Sequence, residues 1–237
     1  GVDAERLMIW GKLARIYGER DDLGKAVHYL QLVLDKGRQV WGPTNPGIAK
    51  TLTEIARLRR REGRPEDAAE MLGEALRIWE LSMGPKHYEV GTCLVEYAQM
   101  LTELGQFAAA EGHLRRALKI LEDHLGRRHV EVARAISAMS LVLLMQERYD
   151  EAEANFVREF ELWREQTKSK RPDMVRSIND VAMFFIARRN FPKAEQAAKR
   201  ALALGHRGSN DENVERVRSH NTLGICASHK QEWERAQ

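Results

Sequence analysis

An alanine recurs every 42 residues through the whole chain, and this interval constrains the fold more than any other feature. The six alanines are Ala26, Ala68, Ala110, Ala152, Ala194 and Ala236. Twelve residues before each of them comes another small residue: Ala14, Ala56, Ala98, Ser140, Ala182 and Gly224. A position restricted to small residues in every copy is typical of a close helix crossing, where the packed interior has no room beyond a methyl group. Each copy therefore has two such crossings.

Apolar residues within each copy follow the spacing of two helices. In one copy the first set is Val90, Leu94, Tyr97, Ala98 and Leu101, and the second is Phe107, Ala110, Leu114, Ala117, Leu118 and Leu121. Both sets fall on one face of a helix with 3.6 residues per turn. The segment "ELGQ" between them predicts a turn, and Pro65 and Pro192 lie where a second helix would begin. Because no alternating strand pattern occurs, the sequence predicts an all-α chain of helical hairpins.

These hairpins resemble tetratricopeptide repeats, although that family's usual unit is about 34 residues. The junctions "GPTNPGIAK", "MGPKHYEVG" and "LGRRHVEVA", at 42–50, 83–91 and 125–133, are similar to those of the kinesin light chain type of repeat. The His-Pro pair of that type is replaced here by Asn45-Pro46, His87-Tyr88, His129-Val130 and Arg171-Pro172. The resemblance implies a right-handed α-solenoid of tandem helix-turn-helix repeats, with the first helix of each repeat lining a concave groove.

The 42-residue interval predicts a single solenoid over 1–237 with six repeats. Their boundaries are 1–41, 42–83, 84–125, 126–167, 168–209 and 210–237, the last stopping as its second helix starts. Solenoids need capping repeats to cover their terminal apolar faces. We therefore expect the chain to be part of a longer protein and capable of self-association through uncapped ends.

Composition and charge bear on whether the chain enters a membrane or binds nucleic acid. The chain has 43% hydrophobic and 31% charged residues, and no stretch approaches the roughly 20 apolar residues of a membrane span. These features predict a cytoplasmic protein with no membrane insertion. The 38 basic residues barely exceed the 35 acidic ones, which does not indicate nucleic acid as a partner. The two cysteines, Cys93 and Cys226, are expected to be free and packed in the interior.

Sequence signatures of catalysis are missing. There is no phosphate-binding loop, dinucleotide fingerprint, HExxH or paired CxxC motif, so we expect no enzyme activity, no cofactor and no metal. His87 and His129 are repeat equivalents, and their position predicts packing or capping at a junction. Cys226 occupies an inward position without a basic neighbour, which makes a poor nucleophile.

The residues predicted to face the groove form a stripe along the first helix of each repeat. In repeats 2 and 3 they are Lys50, Thr53, Glu54, Arg57, Arg60, Arg61 and Thr92, Val95, Glu96, Gln99, Thr102, Glu103. The first groove position is basic in four of the five repeats from 2 to 6: Lys50, Arg134, Arg176 and Arg218.

The neighbours of these four basic residues differ. Lys50 and Arg176 each have a carboxylate four residues on, which predicts an ion pair within the helix: Lys50 with Glu54, and Arg176 with Asp180. Arg134 and Arg218 have no such neighbour. They are either free cations for a ligand carboxylate or paired to the adjacent repeat.

The predicted peptide site lies in repeats 4 to 6, where Arg134, Arg176 and Arg218 are its basic residues and amide and apolar groove positions complete it. By the resemblance to kinesin light chain repeats, Asn179 and Asn221 are expected to hydrogen-bond an extended peptide. The first helix of repeat 4 is apolar nearly all round, so Leu141, Leu144 and Met145 do not belong to the core face. With Met183 and Ile186 they form either a patch for a bulky anchor or contacts to another part of the parent protein.

The function predicted from these patterns is a protein–protein interaction module, an adaptor or scaffold. Its partner is expected to be a protein or peptide with acidic residues and an aromatic or leucine anchor. The alternative is a regulatory or sensor repeat array of a multidomain signalling enzyme, with the groove used for intramolecular or oligomeric contacts. A scaffold without a dedicated peptide site is the third possibility.

Overall fold

The computed structural model describes residues 2–165, 171–204 and 210–236, and all regular secondary structure in these ranges is helical. The helices are α1 (Val2–Glu19), α2 (Leu23–Trp41), α3 (Pro46–Arg61), α4 (Pro65–Met83), α5 (Tyr88–Glu103), α6 (Phe107–Leu125), α7 (Val130–Met145), α8 (Tyr149–Glu165), α9 (Arg171–Ala187), α10 (Phe191–Leu204) and α11 (Asn210–Ala236). The predicted all-α class is confirmed.

The chain divides into two compact units, Gly1–Ala138 and Met139–Gln237, here called the N-terminal and C-terminal modules. In the N-terminal module α1 packs on α2, α3 on α4 and α5 on α6, and α2 and α4 also pack on the helices that follow them. In the C-terminal module α9 packs on α8, α10 and α11. Odd-numbered helices are the first helices of repeats, and even-numbered helices are the second.

The small residues that define the 42-residue interval lie in the core. The interval alanines from Ala26 to Ala194 are all fully buried, and four of the small residues twelve positions earlier, from Ala56 to Ala182, are at most 1% exposed. Ala14 is also buried, whereas Gly224 in α11 is exposed. The close crossings predicted from the sequence are therefore present in repeats 1 to 5.

The turn inside each of these hairpins has one residue with a left-handed backbone. It falls at the same point of every repeat, and the residues are Asp21, Gly63, Gly105, Glu147 and Arg189, with φ between 53° and 75°. A side chain is disfavoured there because its Cβ approaches the following carbonyl. Glycine removes that conflict in repeats 2 and 3 only.

Junctions between repeats are capped by side chains at equivalent positions. Asn45 accepts a hydrogen bond from the backbone N–H of Gly47 at 2.8 Å, and the Nδ1 atoms of His87 and His129 accept from Glu89 and Glu131 at 3.3 and 3.1 Å. These acceptors satisfy backbone donors that a helix start leaves without a partner. Packing or capping was predicted for the two histidines, and both cap a helix start.

The sixth repeat differs from its prediction. A turn was expected shortly before Trp233, but α11 is one continuous helix from Asn210 to Ala236. At the turn position the sequence has Gln231, and neither glycine nor proline interrupts the segment "ASHKQEWERA". Nothing in the local sequence opposes continuation of the helix.

Candidate functional site

First helices of the N-terminal module line a cavity of about 270 Å³, here called the N-terminal concavity. Its lining residues lie mainly on α3, α5 and the start of α7: Lys50, Thr53, Glu54, Arg57, Glu89, Thr92, Cys93, Val95, Glu96, Glu131 and Arg134, with Trp79 from α4. A smaller cavity of about 160 Å³ adds Arg60 and Gln99. The helical stripe thus brings groove positions of three successive repeats to one surface.

Arg57 and Glu96 form the strongest contact in the N-terminal concavity. Arg57 donates from both Nε and Nη2 to the two carboxylate oxygens of Glu96, with the Nε contact at 3.0 Å. Hydrogen bonding to Glu96 raises the pKa of the Arg57 guanidinium. The Arg57 side chain is 61% exposed, whereas that of Glu96 is 14% exposed. The cation therefore lies outside and the carboxylate beneath it.

Two expectations about the other cations are wrong. Arg134 is not a free cation, since its Nη1 contacts Glu131 on the preceding turn at 3.2 Å. Lys50 was expected to pair with Glu54, but within the described part of the chain it forms no ion pair, and its side chain is exposed. Spacing by four residues permits a pair without enforcing one, because long exposed side chains lose entropy when they are held together.

Carboxylates outnumber cations in the N-terminal concavity. Glu54, Glu89, Glu96 and Glu131 lie opposite Lys50, Arg57 and Arg134. Glu89 also accepts hydrogen bonds from the hydroxyls of Tyr88 and Thr92. The predicted basic row is therefore locally balanced, and Lys50 is the basic residue of this lining for which the structure shows no carboxylate partner.

In the C-terminal module, Arg218 is held by two carboxylates. It donates to Asp180 on α9 and, at 3.1 Å, to Glu215 on its own helix. Arg176 contacts Glu215 at 3.3 Å, while Asp180, the partner expected for Arg176, accepts from Arg218. Burial raises the pKa of Asp180 although Arg218 lies beside it. The idea of Arg218 as a free cation is wrong, and the alternative of pairing to the adjacent repeat is correct.

Asn179 is fully buried, which differs from its predicted exposure to a peptide. Its Nδ2 donates to the backbone oxygen of Glu215 at 2.8 Å and to the Glu215 carboxylate at 2.9 Å. Its Oδ1 accepts from the hydroxyl of Ser219 at 2.6 Å. The amide therefore joins α9 to α11. Glu215 and Ser219 were not identified from the sequence, because their importance depends on which helix packs against α9.

The remaining predicted residues of the C-terminal module are accessible. Asn221 is exposed on α11, and Ile186 and Leu144 are half-buried. Leu141, Met145 and Met183 are among the exposed large apolar side chains. Met183 also has the hydroxyl of Thr222 at 3.7 Å from its sulfur. Leu141 and Met145 lie outside the core as predicted, whereas Met139, Ser140 and Leu143 of the same helix are buried.

Neither cysteine has the environment of a nucleophile. Both are free and buried, as predicted. Burial raises the pKa of Cys93 to about 12, and its thiol donates toward the backbone oxygen of Leu72 at 3.8 Å. Burial also raises the pKa of Cys226. A thiol with a raised pKa contains little of the reactive thiolate at neutral pH.

Comparison with known proteins agrees with the fold. The family model of the tetratricopeptide repeat matches residues 5–80, 47–123 and 131–205. Three solved structures are similar over most of the chain. BtubC (BKLC) from P. vanneervenii is 18% identical, with a TM-score of 0.63 over 88% of this chain and 95% of that one. A putative kinesin light chain with nearly identical TPR-like repeats from Podosopora anserina is 19% identical, with a TM-score of 0.68 over 84% of this chain and 94% of that one. The apo form of RapI is 14% identical, with a TM-score of 0.66 over 98% of this chain and 85% of that one.

Comparison with curated proteins gives no significant match. Among the described residues, no helix is long and apolar enough to cross a membrane, and no group of three or more His, Cys, Asp or Glu side chains is arranged to hold a metal ion.

Proposed function

The chain belongs to the tetratricopeptide repeat family, and we propose that it is a protein–protein interaction module that binds a short linear segment of a partner along its first helices. The segment has acidic residues and a bulky apolar anchor. The N-terminal concavity carries this proposal, because one surface collects side chains of three successive first helices around a cavity of about 270 Å³. Concave sites with a few polar groups are the usual binding sites of proteins.

The relative exposure of the arginine and the carboxylate in two ion pairs supports an acidic partner segment. One ion pair in each module has the arginine as its outer member and the carboxylate as its inner one: Arg57 lies above Glu96, and Arg176, 51% exposed, lies above Glu215, 5% exposed. Arg57 donates to Glu96 from Nε and Nη2. Its Nη1 donors have no protein acceptor among the described residues. A guanidinium held in this way can still donate to a ligand carboxylate.

Lys50 is the cation of the N-terminal concavity for which the described residues provide no ion pair. A paired arginine carries little net charge together with its carboxylate, whereas Lys50 is exposed and has no ion pair there. Exposed charge contributes modestly and is screened by salt. An acidic segment is therefore expected to bind reversibly and to weaken as ionic strength rises.

The C-terminal module has an apolar surface of its own that fits a bulky side chain of a partner. Exposed Met183 lies on α9 beside half-buried Ile186, one helical turn along the same face. Leu141 and Met145 are a second exposed apolar pair, spaced four residues apart on α7. Methionine adapts its shape to different apolar partners, which suits it to an anchor site.

The test is calorimetric titration with two blocked peptides that share a central leucine and differ only in flanking aspartate or lysine. We expect the aspartate peptide to bind more tightly. Lys50→Ala should weaken it by roughly two- to fivefold, since one exposed charge contributes up to about 1 kcal/mol. Lys119→Ala is the matched control, because Lys119 is exposed on α6 and does not line the cavity.

Two results would overturn the assignment. One is tighter binding of the lysine peptide. The other is an equal effect of Lys50→Ala and Lys119→Ala, which would place the peptide away from the N-terminal concavity. Met183→Asp tests the apolar surface of the C-terminal module separately, and it should weaken binding of a leucine peptide without charged flanking residues, with little dependence on salt.

A further inference from the structure

The helix α1 exposes an apolar stripe on the side turned away from its buried residues. Ile9 and Ile16 are 50% and 40% exposed, and Leu13 between them is half-buried. These three residues lie within about 60° of one another around the helix, whereas the buried Leu7 and Ala14 lie on its opposite side. The stripe is therefore a surface of α1 that its packing on α2 leaves accessible.

The same face is buried in the first helices of later repeats. The residues equivalent to Ile9 at 42-residue intervals are at most 7% exposed, and they are Thr51, Cys93, Ala135, Ser177 and Ser219. The Cys93 sulfur lies 3.8 Å from the backbone oxygen of Leu72 on α4. The sulfur of Cys226, which is equivalent to Ile16, lies 3.6 Å from the backbone oxygen of Phe191 on α10. In both cases the neighbour is the second helix of the preceding repeat, so this face of a first helix is one that binds a helix.

Two residues of α1 differ from their equivalents. Arg6 is exposed, whereas the equivalent Ile48, Val90 and Val132 are fully buried. Ile9 is larger than each of the five small residues that take its place in the other repeats. A solvated end of a solenoid needs polar residues in place of its apolar face, which accounts for Arg6 but not for an exposed isoleucine. The two changes together fit a helix that leaves room for Ile9 and offers a carboxylate to Arg6.

Charges beside the stripe are mainly positive. Arg6 and Lys12 lie about 60° to either side of Ile9, and Arg20 follows directly after the helix. All three side chains are exposed and form no ion pair within the described part of the chain. In the same arc of α1 the described residues include one carboxylate, Glu5. The excess of cations attracts acidic side chains, and this attraction is screened by salt.

We propose that this surface of α1 binds an amphipathic helix of a partner protein that has acidic residues beside its apolar face. The partner's apolar side chains pack on Ile9, Leu13 and Ile16, and its carboxylates lie next to Arg6 and Lys12. A helix fits better than an extended segment because the equivalent surfaces of later repeats bind helices. A second copy of the chain fits less well, since two surfaces with a net positive charge repel each other.

The probe is a blocked, fluorescein-labelled peptide of about 18 residues, which is long enough to form a helix in water. Leucines at alternating intervals of three and four residues form one face, glutamates lie on both sides of that face, and alanines fill the remaining positions. Fluorescence anisotropy follows its titration with the chain. We expect a second peptide, with lysine in place of every glutamate, to bind at least about tenfold more weakly.

Ile9→Ser tests the apolar stripe, because it gives α1 the residue that repeats 5 and 6 have at this position. It should weaken the glutamate peptide by about fivefold or more through loss of apolar contact. Leu81→Ser is the matched control, since Leu81 is a 63% exposed apolar residue on α4. The control should leave the affinity unchanged.

Arg6→Gln tests the charge. It should weaken the glutamate peptide by roughly two- to fivefold at low salt and by less at high salt. Arg77→Gln is its control, because Arg77 is exposed on α4 and forms no ion pair within the described residues. Lys50→Ala should have no effect, which separates this surface from the N-terminal concavity lined by α3, α5 and α7. Thermal melting of each variant separates loss of the surface from loss of the fold.

Several results would overturn the proposal. They include no binding of the glutamate peptide, tighter binding of the lysine peptide, and equal effects of Ile9→Ser and Leu81→Ser in folded variants. Sedimentation of the chain with vesicles of phosphatidylcholine and phosphatidylserine, abolished by Ile9→Ser, would assign the surface to an anionic membrane instead. A dimer in analytical ultracentrifugation that Ile9→Ser dissociates would assign it to a second copy of the chain.

Discussion

The N-terminal and C-terminal modules have the same small buried residues at equivalent positions but different large residues around them. Ala110 and Ala194 are equivalent and both fully buried, so the helix crossing is the same in each. Two repeats apart, however, Tyr97 occupies a space that Val181 leaves open. Small residues set the distance between helices, while the large residues around them vary. Repeats can therefore keep one fold and acquire different surfaces.

The modules also differ in how ion pairs join successive repeats. In the N-terminal module Arg57 meets a single carboxylate, Glu96. In the C-terminal module Arg218 meets two, Asp180 and Glu215, and Glu215 has a side chain only 5% exposed. An inner carboxylate depends on its arginine more strongly as burial increases. The C-terminal arrangement is thus the more sensitive to loss of its cation.

The largest expected difference comes from removing these arginines. Arg218→Ala should lower the free energy of unfolding by about 2–3 kcal/mol, because Asp180 loses its charge partner and Glu215 loses one of its two, Arg176 being the other. Arg57→Ala should cost about 1 kcal/mol or less, since Arg57 is largely exposed and serves one carboxylate. Urea denaturation measures both. Arg218→Lys, which retains the charge, should recover part of the loss, and equal costs for the two alanine variants would refute the distinction.

Overpacking tests the shared frame. Ala110→Leu and Ala194→Leu should each cost about 1–3 kcal/mol, because both alanines are fully buried at a helix crossing. Gln106→Ala, an exposed turn position that forms no side-chain cap, is the control and should stay within about 0.5 kcal/mol. Denaturation midpoints give the comparison. If Gln106→Ala were as damaging as Ala110→Leu, the 42-residue frame would be wrong.

Exchanging the side chains at Tyr97 and Val181 tests whether the space beside these equivalent positions is filled in one module and open in the other. Tyr97→Val should destabilise the chain by about 1–2 kcal/mol, since it removes a half-buried ring and opens a cavity. Val181→Tyr should be neutral or stabilising, because the ring enters existing space. Differential scanning calorimetry checks the signs, and a similar loss in both variants would mean that the cavity beside Val181 cannot accommodate a ring.

The smallest effect is expected at the hairpin turns. Glu147→Gly should stabilise by about 0.5–1 kcal/mol, because glycine tolerates the left-handed backbone that Glu147 adopts at φ 60°. Gly63→Ala should destabilise by about 1 kcal/mol through backbone strain alone, since no atom lies within 4 Å of the added Cβ. Opposite signs in thermal melts are the expected result, and the same sign would show that the turns are not equivalent.

Local residue patterns were enough to predict the hairpins, their buried alanines and the capping role of His87 and His129. These features depend on contacts within a helix or between adjacent helices, and the 42-residue interval repeats them. Charge partners were predicted less well. Lys50 and Glu54 have the right spacing but do not pair, and Arg218 pairs with a residue 38 positions away. Such partners depend on how neighbouring repeats pack.

Sequence alone determined the class of fold, the repeat length and the positions on each first helix that share a face, because helical periodicity fixes which side chains point together. Only the tertiary structure decided which of these positions remain accessible. Asn179 is suited by its chemistry to bind a peptide, yet α11 packs over it and Glu215 and Ser219 take both ends of its amide. The cavity of about 330 Å³ between α8, α9 and α10 likewise arises from three helices together, since an open space is a property of the atoms around it.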